Sequence, residues 1–308
     1  MKQNTFSFTD QQGYKIFTYQ WRPEETEPKA IIILVHGMAE HAGRYQRFAE
    51  SLTSAGYLVF APDHRGHGLT AGNPEKVGYM GEDGFNNVVT NLHQLSQLIQ
   101  NENPGLPLVL FGHSFGSFLT QQYIEEYGHE LRGAVLSGTC GKKGGITNIG
   151  LLLAWLIVHG NAPEKQSPFL HNMALSGYNS KFQPQRTDFD WLSRDNAEVD
   201  RYINDPFCGA VLSGGFYYDL ARALKRIHCS KNQRKIPNNL PIYIIAGTDD
   251  PVGEYGKGVQ RLIFVYQQAG LNDLTYKFYP GGRHEMPNEI NRDEVIRDLF
   301  AWLDRLFI

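Results

Sequence analysis

Apolar positions in this 308-residue chain switch repeatedly between short continuous or alternating runs and stretches with helical spacing. Two alternating segments, Thr5 to Thr9 and Tyr14 to Trp21, flank the turn Asp10-Gln11-Gln12-Gly13 and predict an antiparallel hairpin. The run from Ala30 to Val35 is wholly apolar, as a strand buried on both faces must be. Helical spacing from His41 to Ala55 stops at Gly56, and Tyr57 to Ala61 is the next strand. A helix over Gly84 to Gln100 is led by Glu82 and Asp83. Strands are then expected at Leu108 to Phe111 and Leu131 to Ser137, with a helix over Ser117 to Tyr127 between them. Late in the chain come a strand (Pro241 to Ala246), a helix (Gly256 to Ala269), a strand (Leu274 to Tyr279) and an amphipathic helix (Asn291 to Phe307).

Strand–helix alternation of this kind predicts an α/β fold, a mostly parallel central sheet with helices on both faces. The rhythm fails between about Gly138 and Leu212. That stretch is rich in aromatic residues, with helical spacing only around Asn148 to Val158 and Asn196 to Asn204, and the pattern resumes with a helix over Gly215 to Ile227. We read residues 1–137 and 213–308 as the core and 138–212 as an inserted helical cap, lying over the carboxyl ends of the strands.

Gly112-His113-Ser114-Phe115-Gly116 stands between a predicted strand and a predicted helix. A G-x-S-x-G sequence in that setting is a nucleophile elbow, in which a sharp turn lifts the serine hydroxyl out at the strand end. A serine hydroxyl needs a general base, and the base an orienting acid. Two later strand ends offer them, Gly247-Thr248-Asp249-Asp250-Pro251 and Pro280-Gly281-Gly282-Arg283-His284-Glu285. The order Ser114, Asp250, His284 is that of α/β-hydrolases. Asp250 is preferred because Pro251 turns the loop back towards the serine, with Asp249 as the alternative. Acyl transfer also needs oxyanion donors. The backbone N–H of Phe115, next after the nucleophile, is one candidate, and that of Met38, in the loop after Ala30 to Val35, is the other.

Composition narrows the remaining classes. The net charge is -3, with no basic stripe interleaved with aromatics, which argues against a nucleic-acid partner. Cys140, Cys208 and Cys229 are too few and too scattered for a disulfide framework or a zinc motif, and suit a reducing cytoplasm. No metal and no cofactor is expected. His36, His41, His64 and His67 with Asp63 could be taken for a metal cluster, but the glycine-dense loops around them point to histidines that brace backbone, His36 and Asp63-His64-Arg65 supporting the oxyanion loop. Glu40, Arg44 and Tyr45 are read as helix-start capping and surface pairing, with no chemistry.

The chain resembles serine α/β-hydrolases of the monoacylglycerol lipase/lysophospholipase group over most of its length. The resemblance is carried by His36-Gly37-Met38-Ala39-Glu40-His41-Ala42-Gly43-Arg44-Tyr45, Asp63-His64-Arg65-Gly66-His67-Gly68, the serine pentapeptide, Gly247-Thr248-Asp249-Asp250-Pro251 and Gly282-Arg283-His284-Glu285. Ser193-Arg194-Asp195 and Asp205-Pro206 add to it. It implies a triad at Ser114, Asp250 and His284, oxyanion donors at Met38 and Phe115, and an acyl ester of glycerol or a lysophospholipid as the small-molecule substrate. The alternatives are a serine aminopeptidase or amidase, whose amine subsite would come from Glu164, Asp188, Asp190 or Asp195, and a non-catalytic binding module. A dehalogenase would carry Asp where Ser114 stands. Leu151 to Val158 is an unbroken apolar run with two readings: a cap helix packed on the core, or a face resting on lipid with Lys142 and Lys143 nearby, which would make a cytoplasmic protein peripheral at a membrane. Phe216, Tyr217 and Tyr218 are candidates for an acyl pocket, at least one of them for core packing.

Overall fold

A computed structural model describes residues 1–142, 144, 146–160 and 162–307, so Lys143 lies outside the described residues. Its strands are β1 (Lys2–Thr9), β2 (Lys15–Arg22), β3 (Ala30–Val35), β4 (Tyr57–Pro62), β5 (Leu108–His113), β6 (Gly133–Ser137), β7 (Ile242–Gly247) and β8 (Leu274–Tyr279). Its helices are α1 (Gln46–Ser54), α2 (Gly68–Ala71), α3 (Gly84–Glu102), α4 (Phe115–Tyr127), α5 (Ile146–Gly160), α6 (Pro168–Leu175), α7 (Asn196–Asn204), α8 (Gly214–Ile227), α9 (Ser230–Gln233), α10 (Lys257–Gln268) and α11 (Arg292–Leu306). The strands form one sheet in the order β1-β2-β4-β3-β5-β6-β7-β8. β1 and β2 pair antiparallel with each other, β2 pairs antiparallel with β4, and every later pairing is parallel.

Successive side chains on a strand point to opposite faces, and here both faces are covered. Ile32 and Leu34 of β3 and Val59 of β4 face one way, onto Phe48 and Leu52 of α1 and Leu299 and Leu303 of α11. Ile31, Ile33 and Val35 face the other way, with Leu108 and Leu110 of β5, onto α3, α4 and α10. That two-sided burial explains why these strands read as unbroken apolar runs.

The expected strands and helices are present with boundaries moved by a few residues, whereas the short helices α2, α6 and α9 are unexpected. The helix expected over His41 to Ala55 is two pieces, a 3-10 turn over Ala42–Tyr45 and then α1. The elbow helix begins at Phe115, directly after the serine. Between β6 and α8 the described residues hold α5, α6 and α7, and the Gln166–Ser213 bridge outside the named strands. The order of strands reverses about β3, which has β4 on one side and β5 on the other. Ligand crevices of open α/β sheets form at the carboxyl ends of strands at such a reversal.

Candidate active site

Ser114 lies at the carboxyl end of β5 with φ 53° and ψ -120°, a conformation that L-residues avoid. Neighbouring structure compels the turn: a Cβ on Gly116 would run into the Val35 and His36 carbonyls, and one on Gly112 into Thr120 and the Gly116 carbonyl. Ser114 N–H donates to Ser137 O at 2.9 Å, tying the elbow to β6. Its carbonyl accepts from Ser117 N–H at 2.8 Å and Ser117 Oγ at 2.6 Å, which starts α4. The N–H groups of the first helical turn, Phe115 among them, sit beside the serine, where a helix N-terminus favours negative charge.

His284 follows β8 and is almost fully buried. Its Nδ1 lies 3.0 Å from Oδ1 of Asp250, a carboxylate with no exposed surface at the end of β7. The same oxygen accepts the Val252 N–H at 2.8 Å, whereas Oδ2 has no partner among the described residues. Of the two adjacent aspartates it is therefore Asp250 that meets the imidazole. Ser114, His284 and Met38 line one narrow pocket, so strand ends far apart in sequence converge there. The loop carrying Met38 passes close enough that a Cβ on Gly37 would lie 3.3 Å from Ser114 Cβ.

Beneath that loop the structure corrects the reading of Glu40, Arg44 and Tyr45 as surface pairing: Glu40 and Tyr45 are buried and Arg44 is partly buried between carboxylates. Gly37 N–H donates to Glu40 Oε1 at 2.6 Å, and Tyr45 OH donates to the same oxygen at 2.9 Å. Arg44 bonds Glu40 and grips Glu285 with two bonds of 2.8 Å each. Asn288 donates to Glu285 at 2.8 Å. Arg44 offsets one of the two carboxylate charges, and the donors Gly37, Tyr45 and Asn288 stabilise what would otherwise be prohibitive to bury. Burial pushes the Glu40 carboxyl up, with Arg44 opposing; burial acts the same way on Glu285, where Arg44 overrides it and holds the carboxyl low. The cluster joins the loop after β3 to the residue beside His284, and so sets the two against each other.

His36, His64 and His67 act on backbone, whereas His41 bonds the Asp205 carboxylate. His36 Nδ1 donates to Gly37 O at 2.8 Å while Nε2 accepts from His64 N–H at 3.0 Å, and the two rings stack at 3.8 Å. Both Asp63 oxygens accept backbone N–H groups, from Ala42 at 2.8 Å and Leu69 at 2.7 Å. Burial pushes His64 down to about 3 and His67 to about 4, so both are neutral at physiological pH. Arg65 turns away from this loop to Asp10 and Asn91, under the β1–β2 turn. His113, inside the pentapeptide, is likewise pushed down to about 3 by burial and then by His284, whose ring lies 4.7 Å away.

Ser114 stands where two unlike cavities meet. One, of about 390 Å³, runs from Ser114, Phe115 and Met38 out between α5, α6 and α8, past Ala154, Leu170, Leu220 and Leu224. The other, the narrow one, of about 30 Å³, is lined by Glu40, His113, His171 and Tyr202 together with Phe189, Trp191, Leu192 and Leu212. Tyr217 lines both and bonds His171 Nδ1 at 2.9 Å, while Phe216 is packed in the core. Residues between β6 and α8 close the site from above: Trp191 O accepts the His284 N–H at 3.3 Å, Leu192 O accepts the Glu285 N–H at 2.7 Å, and the Trp191 ring lies 5.0 Å from the His284 ring. Trp191, His171 and the Glu40–Arg44–Glu285 cluster escaped sequence reasoning. Only the cluster left a signal there, in the Glu40 and Arg44 spacing after His36-Gly37.

Fold and site together define a serine hydrolase architecture, and comparison with known proteins agrees. The pattern of the family described as serine aminopeptidase, S33, matches residues 26–291. The monoacylglycerol lipase of Mycolicibacterium smegmatis is 31% identical over 304 residues, 96% of this chain and 95% of that protein. The human monoglyceride lipase is 30% identical over 95% of this chain and 88% of its own. A thermostable carboxyl esterase from Bacillus coagulans, solved in complex with glycerol, superimposes with a TM-score of 0.93 at 29% identity, covering 100% of both chains. The chain belongs to this serine aminopeptidase S33 family of α/β-hydrolases, within its monoacylglycerol lipase group.

Proposed function

We propose that this chain is a serine ester hydrolase that cleaves monoacylglycerols, with Ser114 as nucleophile, His284 as general base and acid, and Asp250 as the group orienting the imidazole. One observation carries the substrate class: the serine opens into an apolar cavity of about 390 Å³ lined by Phe118, Ala154, Leu170, Leu220 and Leu224. An acyl chain fits that cavity, whereas the narrow one, of about 30 Å³, has room for little more than a water. Ser114 Oγ attacks the ester carbonyl carbon as its proton passes to His284 Nε2. The oxyanion accepts the N–H groups of Met38 and Phe115, each worth about 3 kcal/mol in the transition state. His284 then gives its proton to the departing glycerol oxygen, leaving Ser114 acylated, and water deacylates it by the same route.

The family's description raises the aminopeptidase reading. That activity needs a free acid to hold an α-ammonium near Ser114. Glu164, Asp188, Asp190 and Asp195 line neither cavity, Asp190 bonds the Thr187 backbone and Asp195 pairs with Arg292. Glu40 and Glu285 do line the narrow cavity, but each of their carboxylate oxygens is already bonded, to Gly37 N–H and Tyr45 OH, to Arg44, or to Arg44 and Asn288. Turnover of long-chain monoacylglycerols, p-nitrophenyl esters of rising chain length and amino-acid arylamides separates the readings. The expected result is preference for medium or long acyl chains and no arylamide hydrolysis. Arylamide turnover without ester turnover would reverse it.

Residues 138–212 serve as the cap, and its apolar face meets the lipid that holds the substrate. Ile149, Leu152, Trp155 and Leu156 of α5 are exposed, whereas Ala154 is buried and Leu153 and Ile157 pack inward. Phe169 and Met173 of α6 are also exposed, and Ile149 and Met173 stand at the rim of the apolar cavity. One helix thus both packs on the core and presents an apolar face at the cavity mouth. Among the described residues no helix is long and apolar enough to cross a membrane. Sedimentation with anionic phospholipid vesicles should retain the wild type and release a Leu152→Glu/Trp155→Glu variant that keeps its activity on a short soluble ester. A wild type that stays in the supernatant would refute membrane contact.

A further inference from the structure

The loop after β3 and the inserted segment meet at a second group of reactive side chains, outside the proposed catalytic machinery. His41 Nε2 lies 2.9 Å from Asp205 Oδ2, across 164 residues of sequence. Cys208 is on the same turn as Asp205, whose backbone carbonyl accepts the Cys208 N–H at 3.0 Å. One ligand atom from each of His41, Asp205 and Cys208 falls within 4.8 Å of the others. All three are partly buried, reachable by an ion yet poorly hydrated.

We propose that His41, Asp205 and Cys208 form a binding site for a zinc-type divalent cation, which pins the inserted segment to the loop that carries Met38. The donor set of imidazole, carboxylate and thiolate is the one borderline-soft cations select. Bond lengths of about 2.0–2.3 Å around a tetrahedral ion place ligand atoms roughly 3.3–3.8 Å apart. His41 and Asp205 must therefore part by only about half an ångström to admit the ion in place of the proton they share. The ring of His41 is already aimed: its edge packs against Gly43, where a Cβ would come within 3.0 Å, and against Phe207 at 6.0 Å between centroids. Asp205 is oriented by the Phe207 N–H, which donates to its other oxygen at 2.9 Å, leaving Oδ2 for the ion.

Binding converts the Cys208 thiol to a thiolate and releases one proton to solvent. Burial holds that thiol up; Arg44 opposes it, and the carboxylates of Asp205, Glu40 and Glu285 add to it. The same carboxylates favour a dication. Three protein ligands leave a fourth position for water. The consequence is mechanical. Ala39, two residues before His41, already accepts bonds from Gly209 N–H at 2.9 Å and Tyr202 OH at 2.9 Å, so a metal at this junction would add a third tie between the same two segments. A chain with Cys-poor composition hides such a site, because its ligands are brought together only by folding.

Zinc chloride titrated into the purified metal-free protein tests this by calorimetry and thermal melting, with cobalt as the spectroscopic probe. The expected result is one ion per chain, a raised Tm, a thiolate-to-cobalt absorption in the near ultraviolet, and ester hydrolysis slowed by zinc and restored by a chelator. Loss of an outer-sphere partner already weakens metal sites by roughly 10–100-fold, so Cys208→Ser, which removes a ligand, should weaken zinc binding by more than about a hundredfold. It should also abolish the cobalt band while leaving zinc-free hydrolysis and the melting curve unchanged. Asp205→Asn is the second variant, expected to weaken binding while the cobalt band persists at high metal. Absence of binding, or zinc inhibition undiminished in Cys208→Ser, would overturn the site, the latter placing the ion on other residues.

Discussion

Ser114→Ala is expected to lower kcat on monoacylglycerols and p-nitrophenyl esters by on the order of 10⁶-fold while leaving substrate affinity nearly intact. The reasoning is chemical. The hydroxyl is the atom that bonds to the acyl carbon, and nothing else in the pocket can take that place: His113 is neutral but lies on the strand side of the elbow, and Ser117 Oγ is occupied by the Ser114 carbonyl. Alanine removes one oxygen and keeps the backbone that holds φ at 53°, so the N–H groups of Met38 and Phe115 and both cavities persist. The variant should therefore fold, bind a long-chain monoacylglycerol with unchanged Kd, and show no acyl-enzyme burst. Steady-state rates, burst amplitude and calorimetric affinity read these separately. An active Ser114→Ala would refute the mechanism, and a variant that loses affinity as well would mean the substitution disturbed the elbow.

Asp250→Asn should lower kcat by about 10⁴-fold, and Asp249→Asn by less than tenfold. Asparagine is nearly isosteric with aspartate, so packing at this fully buried position is retained. The new amide would face His284 in one of two ways. With its oxygen towards Nδ1 it keeps the bonds now made to Val252 N–H and the imidazole but loses the negative charge that stabilises the imidazolium. With its NH₂ towards Nδ1 it fixes the tautomer whose Nε2 already carries a proton and cannot accept one from Ser114. Asp249 is partly exposed, and its backbone N–H is what bonds the His loop, to Gly282 O at 2.9 Å, so its substitution leaves that tie in place. Equal losses in the two variants would break the assignment of roles.

Much of this architecture was legible along the chain because its cause is local. Continuous apolar runs mark strands buried on both sides, as β3 and β5 are, and a serine between glycines after such a run marks an elbow wherever a helix follows. Helix ends were harder. The stretch from His41 to Ala55 has one apolar period, but Ala42–Tyr45 form a 3-10 turn whose first N–H, that of Ala42, donates to Asp63 from the loop after β4. Arg44 and Glu285 illustrate the other limit: a charged residue four after Glu40 looks like a surface pair, and only a partner 241 residues away makes it a buried one.

Sequence alone determined the alternation of strands and helices, the strained serine turn, and the residue types at three strand ends, since each follows from periodicity, sterics or chain order. The tertiary structure decided what no local rule carries. Strand order sets β5, β6, β7 and β8 in succession, so that Asp250 after β7 meets His284 after β8, and His284 lines the Ser114 pocket. Packing of α5, α6 and α8 opens an apolar cavity on one side of the serine, and Glu40 and His113 with Trp191 and Leu192 leave only a narrow one on the other. Such features depend on contacts between residues far apart in the chain, whose pairing is set by the burial of the whole sheet and not by any segment of it.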